Sequence, residues 1–170
     1  VAKSKKQRQA TSEHVYVLTV YLANAQMKRK FSKTFSKNLV SRTMEIRGDQ
    51  TLEDLHELIF EAFDRDEEHL YEFEFGSKPG ERFAPKFGHP DPEFNDEGDA
   101  SATSLDDLSL EPERVFGYLF DFGDCWYHQI QVDRIEPVAK GIEYPRITVI
   151  HLKSPPQYAM DDEDDFEDDE

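Results

Sequence analysis

The sequence predicts one α+β domain: a mixed or antiparallel sheet with one main helix packed on one face. Three observations point there. Several segments of strand length are β-branched and aromatic or alternate apolar with polar. One segment, 51–64, places apolar residues at helical spacing. Thirteen Phe, seven Tyr and one Trp provide a packed core in spite of a net charge of −17.

The first strand is Val15 to Leu22, V-Y-V-L-T-V-Y-L, whose mostly apolar composition suits an interior position. Residues 23–38 form a helical turn or a plain connection. Met44 and Ile46 alternate with Thr43, Glu45 and Arg47, which makes 40–47 a second, antiparallel strand. Gly48-Asp49 ends it. Thr51 is the expected N-cap of a helix over 51–64, with Asp54 completing a capping box. Leu52, Leu55, Ile59, Ala62 and Phe63 share its inner face, and Glu53, Glu57 and Glu61 its outer one. Tyr71, Phe73 and Phe75 then alternate with Glu72 and Glu74 as a half-buried strand.

Residues 76–102 are a long Gly-, Pro- and acid-rich loop, expected to pack back in part through Phe83, Phe87 and Phe94, with a short strand near Phe83. Ser104 to Leu110 reads as a short helix, and Tyr144 to Leu152 as the last strand before Ser154-Pro155-Pro156. The opening order of hairpin, helix and strand is that of a β-grasp, ubiquitin-like core. The later strands extend it with a C-terminal hairpin.

That hairpin, Val115 to Asp133, holds the single Trp and the single Cys. A three-residue loop, Gly123 to Cys125, with positive φ at Gly123 or Asp124, pairs Phe122 with Trp126, Phe120 with His128, Tyr118 with Ile130 and Phe116 with Val132. This register gathers the aromatics on one face, and a one-residue slip would expose them. Trp126 and His128 are then core residues, with Asp121 and Asp124 bonding the turn backbone.

Charge divides the chain into a basic arm at 1–12 with four bases, a single domain at 13–158, and an acidic tail at 159–170. The last ten residues carry nine acids, and residues 13–160 carry −12. Both the arm and the tail are expected to be disordered. An acidic body argues against nucleic acid as partner, because phosphate binding rests on Lys and Arg. One Cys excludes a disulfide framework. No apolar run has the length of a membrane span, and the N-terminus lacks the apolar segment of a secretory signal, so the cytoplasm is the expected compartment.

Asp121, Asp124 and His128, with His56 and His69, have the donor chemistry of a metal site. Asp121-Phe122-Gly123 matches the kinase metal-binding tripeptide, but its companion motifs are absent. Phosphate loops, dinucleotide fingerprints and hydrolase elbows are likewise missing. The expected function is therefore a non-catalytic protein-interaction module, with no cofactor and a protein partner. The alternative is a metal-dependent, hydrolase-like enzyme using Asp and His near 121–128.

Five stretches resemble one family: T-L-E-D-L-H at 51–56, H-L-Y-E-F at 69–73, Y-L-F-D-F-G-D-C-W-Y-H at 118–128, Y-P at 144–145 and P-P at 155–156. Together they resemble the Ri-plasmid ORF-three-like proteins, found on plasmids, beside insertion elements and in bacterial and archaeal chromosomes. The resemblance implies an α+β fold and an accessory role on mobile elements as a further alternative. It implies Leu55, His56, His69, Phe73, Asp121, Gly123, Asp124, Trp126 and His128 as motif positions. Members often carry an acidic pair after the P-P, where this chain has Gln157-Tyr158.

Overall fold

The computed structural model describes residues 11–94 and 97–158. The first ten residues of the expected arm and the whole of the expected tail lie outside them. Strands β1 (His14–Leu22) and β2 (Ser41–Arg47) form an antiparallel hairpin, with Tyr16 opposite Ile46 and Leu18 opposite Met44. Helix α1 (Leu52–Ala62) follows. Its capping box is complete: Thr51 Oγ1 accepts from the Asp54 amide at 3.2 Å, and Asp54 Oδ2 from the Thr51 amide at 2.8 Å.

Then come β3 (Tyr71–Glu74), β4 (Lys86–Gly88), β5 (Gly98–Asp99), β6 (Val115–Phe120), β7 (Trp126–Pro137) and β8 (Arg146–His151). Among the described residues, eight strands form one sheet in the order β5-β4-β3-β6-β7-β1-β2-β8. All neighbours are antiparallel except β4 and β5. Leu52, Leu55, Ile59, Ala62 and Phe63 of the helix segment share one core with Tyr16, Leu18, Met44, Ile46, Phe73, Tyr118, Phe120, Ile130 and Val132 of the sheet.

The α+β class and the single packed helix agree with the sequence reading, but the β-grasp topology does not. A β-grasp core places a parallel strand beside β1. Here β7 lies there, antiparallel, and the strand after the helix sits two strands further out. The long β7 hairpin claims the position because its Ile130 and Val132 match the buried face of β1 over nine paired positions.

The loop of that hairpin has five residues, 121–125, so Phe120 faces Trp126, Tyr118 faces His128 and Phe116 faces Ile130. The pairing moves by two positions from the expected one, which leaves the paired residues of both strands on their expected faces. Asp121 and Cys125 supply the positive φ, not Gly123 or Asp124. Asp121 also bonds the turn, its Oδ1 accepting from the amides of Gly123 at 2.9 Å and Asp124 at 3.3 Å. Phe122 is consequently exposed.

The strand expected near Phe83 lies at Phe87, and Phe83 itself is 90% exposed. The helix expected over 104–110 shrinks to a 3₁₀ turn at Asp106–Leu108, although Leu105 is buried.

Arg42 is the largest fully buried side chain. Its Nε donates to the carbonyl of Ala62, the end of α1, at 2.7 Å. Nη1 donates to the carbonyls of Ser41, His151 and Leu152, and Nη2 to Ser154 Oγ. The guanidinium also lies 5.1 Å from the centre of the Phe63 ring. No basic residue occupies the last turn of α1, so Arg42 supplies the donor its end lacks. Arg42→Ala leaves several buried carbonyls without donors and should cost about 3–5 kcal/mol of unfolding free energy in chemical denaturation.

Candidate functional site

Two motif histidines, His56 and His69, meet the Phe120 ring at the turn end of the β6–β7 hairpin. Leu55 and His56 come from the inner face of α1, His69 precedes β3, and Phe73 lies within it. His56 stacks on Tyr71 with ring centres 3.7 Å apart. Its Nδ1 is 2.7 Å from the Tyr118 hydroxyl and its Nε2 is 3.1 Å from Glu68 Oε2. A carboxylate only accepts, so Nε2 carries the proton and Nδ1 accepts from Tyr118. This Glu–His–Tyr line has the form of an acid–base relay. Its hydroxyl, however, belongs to Tyr118, which is 1% exposed and out of a substrate's reach.

His69 turns the other way. Its Nε2 is 2.7 Å from the Tyr158 hydroxyl and 3.5 Å from Asp121 Oδ2. Tyr158 in turn donates to Glu67 at 2.9 Å. Beside it, Gln157 Oε1 accepts from the amides of Asp66 and Glu67, while Nε2 donates to the Glu67 carbonyl. The C-terminal strap thus holds the loop after α1.

His128 is buried on the core face, edge-on to Phe63 at 4.9 Å. Trp126 is only partly buried, with the guanidinium of Arg65 4.1 Å from its ring centre.

The five metal-ligand candidates therefore separate. His56 is tied to Tyr118 and Glu68, His69 and Asp121 to each other, and His128 lies deeper among aromatics. Asp124 stays in the turn. Among the described residues no three His, Cys, Asp or Glu side chains converge as ligands. Cys125 donates to the Phe122 carbonyl at 3.3 Å rather than to a base.

A cleft of about 520 Å³ opens between α1 and the loop leading into β3. Glu53, Glu57, Glu68, His56, His69, Tyr71, His89 and Phe94 line it, and among the described residues no Lys or Arg does. Burial, followed by repulsion from Glu57, raises Glu53 and Glu68 above the ordinary carboxylate value of 4.5. At its floor the Tyr71 hydroxyl is enclosed and makes no hydrogen bond, in a residue 4% exposed. The helical spacing of Glu53 and Glu57 was legible in the sequence. Arg65, Glu68, Tyr71 and Tyr158 were not singled out, because their roles arise from contacts distant along the chain.

The sequence pattern of the plasmid pRiA4b ORF-3-like proteins matches residues 25–161, and the chain belongs to that family. It is 33% identical over 122 residues to uncharacterized protein y4hQ of Sinorhizobium fredii (strain NBRC 101917 / NGR234). That match takes in 70% of this chain and 58% of y4hQ. The fold is similar to the crystal structure of MM3350, a protein of unknown function from Methanosarcina mazei Go1, with a TM-score of 0.67 and 26% identity. That likeness covers 86% of this chain and 74% of MM3350. No helix among the described residues is long and apolar enough to cross a membrane.

Burial lowers His56 from 6.5 to about 4, with His89 adding to the effect. Burial and then Arg65 lower His128 to about 3. Between about 6.5 and these values the unfolded chain binds protons that the folded chain refuses. This stability is complete above 6.5 and is lost as pH falls. The raised carboxylates Glu53 and Glu68 act in the opposite sense, so a variant must isolate the histidine effect. His56→Gln should reduce the loss of unfolding free energy between pH 6.5 and 4 by up to about 3 kcal/mol, read from urea denaturation at a series of pH values.

Proposed function

We propose that this protein is a non-catalytic interaction module that takes a cationic side chain of a protein partner, Lys or Arg, into the cleft beside His56. The observation that carries this is the enclosed, unpartnered Tyr71 hydroxyl beneath three carboxylates in a cleft that no Lys or Arg of the described residues lines. Burial and repulsion from Glu57 disfavour the charged forms of Glu53 and Glu68, and a cation in the cleft relieves this. An ammonium or guanidinium also gives Tyr71 a donor to accept, and the His56–Tyr71 stack gives it an aromatic surface. The relay through His56 supports binding rather than turnover, because its terminal hydroxyl is sealed inside.

The test uses a blocked pentapeptide with a central Lys between alanines and its norleucine counterpart, titrated at low salt and followed by NMR. The Lys peptide should bind at least about tenfold more tightly, shift signals of Tyr71, weaken as salt is added, and lose its advantage in Glu57→Gln/Glu68→Gln. Equal binding of the two peptides would overturn the reading. Stoichiometric zinc binding abolished by the same pair of substitutions would transfer the cleft to the metal-dependent alternative.

A further inference from the structure

Arg65 reaches the core by way of a chain reversal. Phe63 ends the helix, Asp64 takes a positive φ of 51°, and the Arg65 amide donates back to the Phe60 carbonyl at 3.1 Å. The side chain then enters a space walled by aromatics. Its guanidinium carbon is 4.1 Å from the ring centre of Trp126, 5.8 Å from Phe120 and 6.0 Å from Phe63. The residue is 7% exposed.

Among the described residues this charge has no counter-ion. None of the ion pairs among the described residues includes Arg65. Nη2 meets one acceptor, His128 Nε2, at 3.5 Å. Nη1 is enclosed without a partner, and so is the neighbouring indole Nε1 of Trp126. Guanidinium and indole N–H groups only donate, so they cannot satisfy each other. Asp121, which follows Phe120 in the chain, is committed to its turn and to His69. A buried cation without an anion is costly, and two unused donors beside it add to that cost. Arg42 shows the alternative within the same molecule, with each guanidinium nitrogen bonded.

We propose that Arg65 and the indole N–H of Trp126 form a binding site for an oxyanion, a carboxylate or phosphate group, with His128 holding the guanidinium in place. An oxyanion brings both the missing negative charge and the missing acceptors, whereas water would bring only the latter. Two sources share this chemistry: a soluble small molecule, and the nine acids of residues 161–170, which follow Tyr158 in the chain. Both donor atoms are shielded, so binding requires a shift of Trp126 or of the 121–125 turn.

Trp126 is the single tryptophan of the chain, and its emission reports the site directly. Inorganic phosphate and acetate are titrated at constant ionic strength against chloride. Two full-length chains are compared, the wild type and a variant whose acids in 161–170 are replaced by their amides. A saturable change in emission in the wild type, with a rising melting temperature, supports the site and a soluble anion. A change that appears only in the amide variant supports the site and assigns it to the chain's own carboxylates. Arg65→Gln should weaken either response at least tenfold. Should Arg65→Gln fail to fold, Arg65→Lys keeps the charge, loses the planar fork and is expected to show the same weakening. No saturable response to either anion in either chain, or a response unchanged by substitution at Arg65, overturns the proposal.

Discussion

The guanidinium of Arg42 joins parts of the chain that are otherwise far apart. From the start of β2 it ends helix α1 through the Ala62 carbonyl and fixes the exit of β8 through His151 and Leu152. It also orders Ser154 at the start of the C-terminal strap. Everything at the candidate site depends on those anchors. With the strap in place, Gln157 holds the backbone of 66–67 and Tyr158 meets His69. With the helix end in place, the reversal at Asp64 sends Arg65 beneath Trp126.

Two buried arginines thus have opposite roles. Arg42 is compensated by carbonyl dipoles and a hydroxyl, and the interaction is structural. Arg65 is held by aromatic faces and one imidazole, and its charge is left open. Phe120 contacts both halves of the site, with Arg65 on it and the His56 and His69 rings against it. The cleft on the His56 side is an excess of negative charge, while the Arg65 centre is an excess of positive charge. A buried charge without a partner is costly to stability.

Some of this was legible in the residues. The box at Thr51 and Asp54 and the inner face of α1 are local patterns, and local patterns survive into the fold. The hairpin shows both the reach and the limit of such reading. Alternation placed Tyr118, Phe120, Trp126 and His128 on the core face correctly. The loop was two residues longer than expected, because Asp121 takes a positive φ and folds the turn around its own carboxylate. His56 and His69 could be named as candidates, but their partners could not. Glu68, Tyr118, Asp121 and Tyr158 reach them across the fold.

By itself the sequence determined the main strands and the helix, their buried faces and the acidic character of the chain. Each follows from side-chain period and from composition, which are properties of neighbours along the chain. Tertiary structure alone decided the order of the strands, and with it the loss of the β-grasp arrangement. It alone decided that one arginine is satisfied and another is not. Burial of a charge depends on which distant surfaces close over it, and no periodicity in the chain encodes that closure.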